Sequence, residues 1–419
     1  MKDHLVVKDT LEECRCCKSS DLITFLPMGK HPPANMFVRP EELNEAQPSF
    51  ALNSQACLSC GLIQVADQIP QDFFVHYLYV PSSAQTMHAH FEDFAKVLGQ
   101  LADGGLIMDI GCNDGLMLSF ANAQGAKTLG IDPAANLAKI AAERGVEVHV
   151  AYLSPESAHE VVAKHGPAQV IATSNTFNHI GDLHGFMEAV DILLAEDGTF
   201  VIEVPWGKEI VETNEFDNIY HEHMSELSLL SIIKLGKTTG FDVVDVTKLP
   251  VHGGSMRVFL RKAVAKAQVA PIVTQMVEEE RAAGMLDRAS YEAFATRVND
   301  DRTALLDLLA SLKAEGKTIA GYGAPAKGNT LLNFFGIGPD TLEFLADRNP
   351  LKQGLFAPGS KIPILAPEAI AERKPDYLLV LAWNFFDEIR EQLTDFEAAG
   401  GRFIVPLPNP TVVGGSGTD

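Results

Sequence analysis

The sequence predicts an α/β protein with two doubly wound, Rossmann-like units and a cysteine-rich module in front of them. Two segments, residues 106–132 and 317–347, each run from an apolar strand through a glycine-rich turn and a helix to a second strand that ends in an aspartate. Strands and helices also alternate over residues 146–204, a pattern that predicts a parallel sheet with helices on both faces. The third observation is the crowding of cysteines near the start of the chain.

Length and composition bound the domain organisation. The chain has 419 residues, of which 46% are hydrophobic, and this is enough for two or three domains with sizeable cores. The predicted divisions are a cysteine-rich module over residues 1–70, a central α/β domain over 71–265, a helical linker over 266–314 and a C-terminal α/β lobe over 315–410.

Charge and hydropathy argue against several classes of function. The net charge of −22 disfavours a general surface for nucleic acid or anionic membranes. The sequence has no apolar run long enough to cross a bilayer and no apolar segment directly after Met1, so we expect a cytoplasmic protein without a membrane partner. The acidic surface is compatible with a monomer.

The cysteines predict a structural zinc site. Five of the six lie within the first 60 residues, at Cys14, Cys16, Cys17, Cys57 and Cys60. Two C-x-x-C pairs, 14/17 and 57/60, each place two thiolates on one tetrahedral ion, and together they close a four-cysteine site. Cys16 either replaces Cys17 as a ligand or points away. A disulfide framework is disfavoured in a cytoplasmic chain.

The first glycine turn predicts a nucleoside site. Its glycines let a ligand approach the backbone, and the aspartate that ends the second strand can accept hydrogen bonds from both hydroxyls of a ribose. The turn, G-C-N-D-G, lacks the G-x-G-x-x-G spacing, and its aspartate would face a pyrophosphate, which disfavours NAD. The alternative is an ordinary βαβ turn without a ligand. The residues expected to form this site are Asp109, Gly111, Asn113, Gly115 and Asp132.

Titratable and aromatic side chains cluster at Tyr220-His221-Glu222-His223. General acid/base work is the favoured interpretation, because histidine titrates near neutral pH. His-x-His can also chelate a metal, but no third ligand lies nearby in the sequence. The third possibility is a polar loop that caps a helix starting near Ser225. In a separate segment, Tyr77 and Tyr79 share one face of a predicted strand, where they line a pocket or pack against the domain.

The second glycine loop, residues 321–329, differs from the first because it carries a cation. Lys327 and the start of a helix lie together there, and both are suited to an anion. The alternative is a Rossmann-like lobe with a structural role only.

The D-I-G-C-N-D-G stretch resembles the first motif of class I S-adenosylmethionine-dependent methyltransferases, whose cofactor is cationic at sulfur and carries a ribose. Across nearly its whole length the chain resembles the nucleotide-sugar C-methyltransferases, which make branched deoxysugars for antibiotics and surface glycans. The motifs that carry this resemblance are, in order, Cys14-x-x-Cys17, Cys57-x-x-Cys60, Tyr77-x-Tyr79, D-I-G-C-N-D-G at 109–115, Y-H-E-H at 220–223, H-G-G-S-x-R at 252–257 and G-Y-G-A-P-A-K-G-N at 321–329. Cys112 in the turn and the extra Cys16 depart from the family pattern.

The resemblance implies an N-terminal zinc module, a central class I methyltransferase domain and a C-terminal lobe that helps to hold a nucleotide sugar. The cofactors implied are S-adenosylmethionine and structural Zn²⁺. The substrate implied is a nucleotide-linked, 4-keto-6-deoxy sugar carried on dTDP. Its 4-ketone acidifies the proton on C3, a base removes that proton, and the enolate carbon takes a methyl group.

The resemblance also implies residue roles. His223 is the expected base, with His221 as the competing candidate, and Glu222 is expected to orient or polarise an imidazole. Tyr220 and Tyr77 are expected to donate hydrogen bonds to the enolate oxygen. The residues expected to border the methyl-transfer site are Asn175 and His179, and those expected to bind the substrate or its diphosphate are Tyr79, Arg257, Lys327 and Asn329.

Two other classes of function stay open at this point. One is a methyltransferase of different chemistry, which acts on oxygen, on nitrogen, on C5 of the sugar or on a non-sugar acceptor. The other is a zinc-bearing interaction protein that retains a methyltransferase-like core without activity. The presence of Asp132 and of the 220–223 cluster argues against the second class.

Overall fold

The structure, a computed structural model, describes residues 10–67 and 85–414. Tyr77 and Tyr79 lie outside the described residues. Within the described ranges the chain forms three sheets, and no helix there is long and apolar enough to cross a membrane.

The strands are, in chain order, β1 (Leu22–His31), β2 (Phe50–Cys57), β3 (Ile63–Val65), β4 (Leu106–Ile110), β5 (Lys127–Ile131), β6 (Val148–His149), β7 (Ala168–Ser174), β8 (Leu194–Pro205), β9 (Ser225–Glu226), β10 (Phe241–Leu249), β11 (Ser255–Lys262), β12 (Ile319–Tyr322), β13 (Leu345–Ala346), β14 (Ile364–Leu365), β15 (Tyr377–Val380), β16 (Arg402–Val405) and β17 (Thr411–Val413). The α-helices are α1 (Gln85–Ala102), α2 (Leu116–Ala123), α3 (Ala135–Glu143), α4 (Pro155–His165), α5 (Leu183–Leu193), α6 (Gly207–Glu212), α7 (Leu229–Thr239), α8 (Pro271–Ala282), α9 (Arg288–Ala314), α10 (Ala326–Phe335), α11 (Ala369–Arg373), α12 (Phe386–Gln392) and α13 (Thr394–Ala398).

The central sheet has seven strands in the order β10-β11-β8-β7-β4-β5-β6. Strands β4 to β8 pair in parallel, whereas β11 lies antiparallel between β8 and β10. The chain leaves β4 towards β5 on one side and later returns to β7 on the other. The carboxyl end of β4 is therefore a topological switch point, the place where doubly wound sheets bind ligands.

The N-terminal sheet is antiparallel and receives a strand from the central part of the chain. Its order is β1-β2-β3-β9, and β9 pairs with β3 through Ile63 opposite Glu226 and Gln64 opposite Ser225. The segment that follows the Tyr-His-Glu-His cluster is thus hydrogen-bonded to the cysteine-rich module. Sequence periodicity could not predict this, because β9 has only two residues.

The C-terminal sheet has six strands in the order β14-β13-β12-β15-β16-β17. The predicted strands β12, β13, β15 and β16 pair in parallel, whereas β17, for which the sequence predicted no strand, lies antiparallel to β16. Helices α8 and α9 lie between the two large sheets in the chain, where the sequence predicted a helical linker.

Helix α7 begins four residues later than predicted and is not capped by the 220–223 segment. Its N-cap is Ser228, whose side chain accepts a hydrogen bond from the backbone of Ser231. The buried carboxylate of Glu280 accepts two more, from the backbone amides of Leu229 and Leu230. These acceptors satisfy the free amides of the first turn, so the cap interpretation of Tyr220-His221-Glu222-His223 is wrong.

Candidate active site and metal centre

The four cysteines of the two C-x-x-C pairs converge as predicted. The sulfur atoms of Cys14, Cys17, Cys57 and Cys60 all lie within 4.8 Å of one another, and the Cys14–Cys60 and Cys17–Cys57 pairs are 3.6 and 3.5 Å apart. Tetrahedral zinc with Zn–S bonds of about 2.3 Å requires sulfur separations of about 3.8 Å. The donor set and its spacing therefore fit a closed, structural zinc site.

Cys16 is not a member of this group. It is fully buried and packs in the core with residues of the central domain, while its backbone carbonyl accepts a hydrogen bond from Nε2 of His184 at 2.9 Å. The ambiguity in the first pair is thereby resolved in favour of Cys17.

The turn after β4 requires glycine at position 111, because of its positive φ and the lack of space for a Cβ. Gly111 has φ of 77°, and a Cβ placed on it would lie 2.2 Å from Oγ1 of Thr176. The close approach brings the loop after β7 directly over the turn. Asn113, also at positive φ, donates its backbone N–H to Asp132 Oδ2 at 2.9 Å, so the turn is fastened to the acid at the end of β5.

Acidic groups surround this turn. Asp132 accepts hydrogen bonds from the backbone of Asn113 and of Ala134, one on each carboxylate oxygen, which leaves each oxygen a further acceptor position. Oδ1 of Asp109 is buried with no hydrogen-bond partner among the described residues. Burial, reinforced by Asp132 and Glu203, raises the pKa of Asp109 well above its ordinary range. A ribose can donate its hydroxyls to the acceptor positions of Asp132, and a cationic group can balance the buried acids. S-adenosylmethionine has both a ribose and a cationic sulfur.

We expect Asp132→Asn to weaken the binding of S-adenosylmethionine by about 10- to 100-fold, because a charge-assisted acceptor for the ribose becomes a neutral amide. Titration calorimetry measures the effect directly. Asp182→Asn, which alters a carboxylate that caps α5 on its own first turn, is the matched control. Equal affinity of the Asp132 variant and the wild type would contradict the ribose assignment.

The loop after β7 connects the cofactor turn to the histidine cluster. Asn175 has φ of 51° and donates its backbone N–H to the carbonyl of Glu203 at 2.8 Å. Four residues later, the ring of His179 lies edge-on to the ring of His223 with centroids 4.9 Å apart. The structure therefore brings His179, predicted to border the methyl-transfer site, next to the predicted base.

His223 is held between a phenol and a carboxylate. A backbone turn, with the N–H of His223 bonded to the carbonyl of Tyr220 at 2.9 Å, stacks the two rings 4.0 Å apart. The Tyr220 hydroxyl lies 2.6 Å from Nε2 of His223, and Nδ1 lies 3.2 Å from Oε1 of Glu226. Both ring nitrogens thus have partners of defined chemistry.

Burial keeps both histidines of this site neutral. It lowers the pKa of His223 to about 3, with a further contribution from the Lys327 cation. It also lowers the pKa of His179 to about 3, and His223 adds to the effect. Each neutral imidazole carries a proton on one nitrogen only, and the other nitrogen has a lone pair that can accept a hydrogen bond or a proton.

Glu222 does not orient the imidazole of His223, so the role predicted for it is wrong. Its carboxylate accepts hydrogen bonds from the backbone N–H and the side-chain amide of Asn35, in the N-terminal module. The residue that contacts the imidazole is Glu226. Burial raises the pKa of Glu222 to about 7, against the opposing effect of Asn35.

We expect Glu222→Gln to change how stability depends on pH. The folded-state pKa of about 7 exceeds the ordinary value of 4.5, so the wild type loses stability as pH rises between these two values. The variant cannot lose a proton, and its free energy of unfolding relative to wild type should rise by on the order of 3 kcal/mol from pH 4.5 to 8. Denaturation at several pH values checks this, with the exposed Glu188→Gln as control, and parallel pH profiles of variant and wild type would contradict it.

His221, the competing base, faces the N-terminal sheet. Its Nε2 lies 3.0 Å from the carbonyl of Ala51 on β2, and its ring contacts Phe50 edge-on. Burial lowers its pKa to about 4. Because Nε2 carries the proton that this carbonyl accepts, His221 serves the junction between the two sheets. His221 and His223, the proposed chelating pair, have separate protein partners.

The three residues predicted to bind a diphosphate are engaged inside the protein. The buried guanidinium of Arg257 pairs with Glu203, with nitrogen–oxygen distances of 2.8 and 2.6 Å. The side-chain amide of Asn329 donates to the carbonyl of Ala34 at 2.9 Å. Nζ of Lys327 is 3.5 Å from Oε2 of Glu215.

Two groups at this site were missed by the sequence analysis. Glu203 on β8 accepts hydrogen bonds from His90 on α1, from Ser174 and from Arg257, and so ties α1, β7 and β11 together at the cofactor edge. Glu226 was overlooked in favour of its neighbour Glu222. The spacing His-x-x-Glu over 223–226 could have pointed to it. Tyr220 and His223 are also three residues apart, and a turn that brings those two side chains together can do the same for His223 and Glu226.

Comparison with known proteins agrees with this geometry. Residues 14–74 match a zinc binding domain, residues 84–246 a methyltransferase domain, and residues 250–408 the C-methyltransferase C-terminal domain. The C-methyltransferase NovU of Streptomyces niveus is 39% identical over 412 residues, which are 97% of this chain and 98% of that relative.

The protein is therefore an enzyme, an S-adenosylmethionine-dependent methyltransferase with a structural zinc centre. More narrowly, the chain belongs to the C-methyltransferase family that includes NovU. The fold class, the two cofactors and the family predicted from the sequence are confirmed.

Solved structures resemble only the central part of the chain. A methyltransferase from Anabaena variabilis is 16% identical, covers 44% of this chain and 86% of its own length, and has a TM-score of 0.34. CcbJ from Streptomyces caelestis is 10% identical, covers 45% and 97%, and has a TM-score of 0.36.

Proposed function

We propose that this enzyme methylates C3 of a dTDP-linked 4-keto-6-deoxy sugar, in the biosynthesis of a branched deoxysugar. The observation that carries the proposal is the buried pair of Tyr220 and His223, a phenol 2.6 Å from Nε2 of a neutral imidazole. A base beside a hydrogen-bond donor suits the removal of a proton next to a ketone. The sugar nucleotide itself is inferred from the family resemblance.

In the proposed reaction His223 takes the proton from C3. The C3–H electrons form the C3–C4 double bond, and negative charge develops on the 4-keto oxygen. As the substrate enters, the hydroxyl of Tyr220 transfers its hydrogen bond from Nε2 to that oxygen, which frees the lone pair for the proton. S-adenosylmethionine supplies the electrophilic methyl group that the substrate carbon takes up.

The surroundings support carbon rather than oxygen as the reacting atom. His223 and His179 are both buried and neutral, so His223 can accept the C3 proton, a step that methylation at carbon requires. A second donor to the enolate oxygen is predicted at Tyr77, and a substrate contact at Tyr79. Both are proposals that rest on the motif alone, because these residues lie outside the described ranges.

A mass assay in ordinary and deuterated water tests this function. The purified protein is mixed with S-adenosylmethionine and a dTDP-4-keto-2,6-dideoxyhexose generated in place, and the matched control is the 4-hydroxy analogue. We expect one added methyl group, located on C3 by NMR, with the ketone only. Methylation of the 4-hydroxy sugar at oxygen, a methyl group on C5, or no reaction with any keto sugar would each overturn the proposal.

A further inference from the structure

A group of buried charges lies behind the proposed base. Its members are Glu226, Glu215 and Asp217 of the central part of the chain and Lys327 of the C-terminal lobe. Burial raises the pKa of Glu226 well above its ordinary range and that of Asp217 to about 6, and Lys327 opposes both effects. Lys327 thus favours the ionised forms of Glu226 and Asp217.

Glu226 is fixed in position by backbone as well as side-chain contacts. It lies in β9, paired with Ile63 of the N-terminal sheet, and its side chain is 2% exposed. Oε1 lies 3.2 Å from Nδ1 of His223, and Oε2 is buried with no hydrogen-bond partner among the described residues. The one hydrogen-bond partner of this carboxylate among the described residues is therefore the imidazole of His223.

Lys327 reaches this group from the first turn of α10. Its Nζ is 3.5 Å from Oε2 of Glu215 and 5.7 Å from the centre of the Trp383 ring, and Nε1 of Trp383 donates to Asp217 at 2.8 Å. The lysine therefore pairs with Glu215, near the base, although its place in a glycine loop suggested a diphosphate.

We propose, on the basis of the function proposed above, that Glu226 is the positioning residue of His223 and that Lys327, which pairs with Glu215, is the cation that balances the buried acids behind it. The carboxylate of Glu226 accepts a hydrogen bond from the Nδ1–H of His223. The lone pair of the neutral ring therefore lies on Nε2, towards Tyr220 and the substrate. When Nε2 takes the C3 proton, the same carboxylate stabilises the imidazolium. A buried carboxylate plays this part for the histidine of the serine-protease triad.

The tautomer of His223 tests the first half of the proposal without any substrate. In protein labelled with ¹⁵N-histidine, the His223 signals are those lost in His223→Asn. We expect the Nδ1–H tautomer in the wild type. In Glu226→Gln an amide N–H can donate to Nδ1, so we expect the Nε2–H tautomer. With a keto sugar, we then expect exchange of the C3 hydrogen to be at least about 100-fold slower than in the wild type. Glu147→Gln, an exposed acid paired with Lys164, is the matched control.

Lys327→Met tests the second half and keeps the proposal falsifiable if Glu226→Gln does not fold. Lys327 lowers the pKa of His223 as well as that of Glu226, so its loss should move the acid limb of the kcat profile to higher pH through either group while KM is kept. Lys164→Met is the control. The groups that face the base are His179, Tyr220, Glu226 and Lys327, and Glu215 lies beside Lys327.

The outcomes separate this proposal from the proposed function. An unchanged His223 tautomer in Glu226→Gln overturns the positioning role. A raised KM with an unmoved pH profile in Lys327→Met overturns the counter-ion role and returns this lysine to the diphosphate. A switched tautomer supports the positioning role even where no keto sugar reacts, and that combination overturns the proposed substrate instead.

Discussion

Asparagine in place of His223 is expected to slow hydrogen exchange at C3 of the substrate by about 10²- to 10⁴-fold, the usual contribution of a positioned base. Methyl transfer should fall by the same factor, because no enolate forms for the methyl group to join. Affinity for S-adenosylmethionine should stay within about twofold, since the cofactor turn lies on β4 and β5, whereas His223 precedes β9. Deuterium uptake measured by mass spectrometry, alongside calorimetry, gives both quantities.

Two further histidine variants make this experiment decisive. His159→Asn changes an exposed histidine on α4 and should behave as wild type. His221→Asn removes the hydrogen bond to Ala51 at the sheet junction, and should lower the thermal midpoint more than the rate of exchange. If His221→Asn abolished exchange in a folded protein while His223→Asn retained it, the assignment of the base would be reversed.

The local elements of this fold could be predicted because their signals are local. An apolar run entering a glycine turn gave β4 and the strand-turn-helix unit around Gly111, and the paired cysteine spacings gave the zinc site. The pairing of β9 with β3 could not be predicted in this way. It joins residues more than 160 positions apart through a strand too short to have a period.

The sequence predicted which residue types form the candidate site, but not the directions in which their side chains point. The 220–223 segment correctly brought a phenol and an imidazole together, because a turn places positions i and i+3 side by side. The same turn points neighbours apart, which is why Glu222 contacts Asn35 and Glu226 contacts His223. Lys327 and Arg257 had cationic chemistry that suits a diphosphate, and only the folded chain shows the acids that they face.

Removal of the zinc site is the other change from which we expect a large effect. Cys60→Ser replaces one of four clustered thiolates, and we expect loss of zinc and a fall in thermal midpoint of more than about 10 °C. Structural zinc contributes about 10–16 kcal/mol in zinc-finger peptides, which matches or exceeds the usual stability of a domain. Metal analysis and differential scanning calorimetry measure the two effects.

The consequence for activity follows from how the zinc module reaches the base. Its strand β3 pairs with β9, which carries Glu226, and its Asn35 is bonded to Glu222. Loss of zinc should therefore abolish exchange at C3 while the central domain still binds S-adenosylmethionine. Cys16→Ser, which alters a buried cysteine outside the cluster, is the control and should retain one zinc ion. Loss of zinc in Cys16→Ser but not in Cys17→Ser would contradict the ligand set, and full activity of the zinc-free protein would contradict the coupling between module and base.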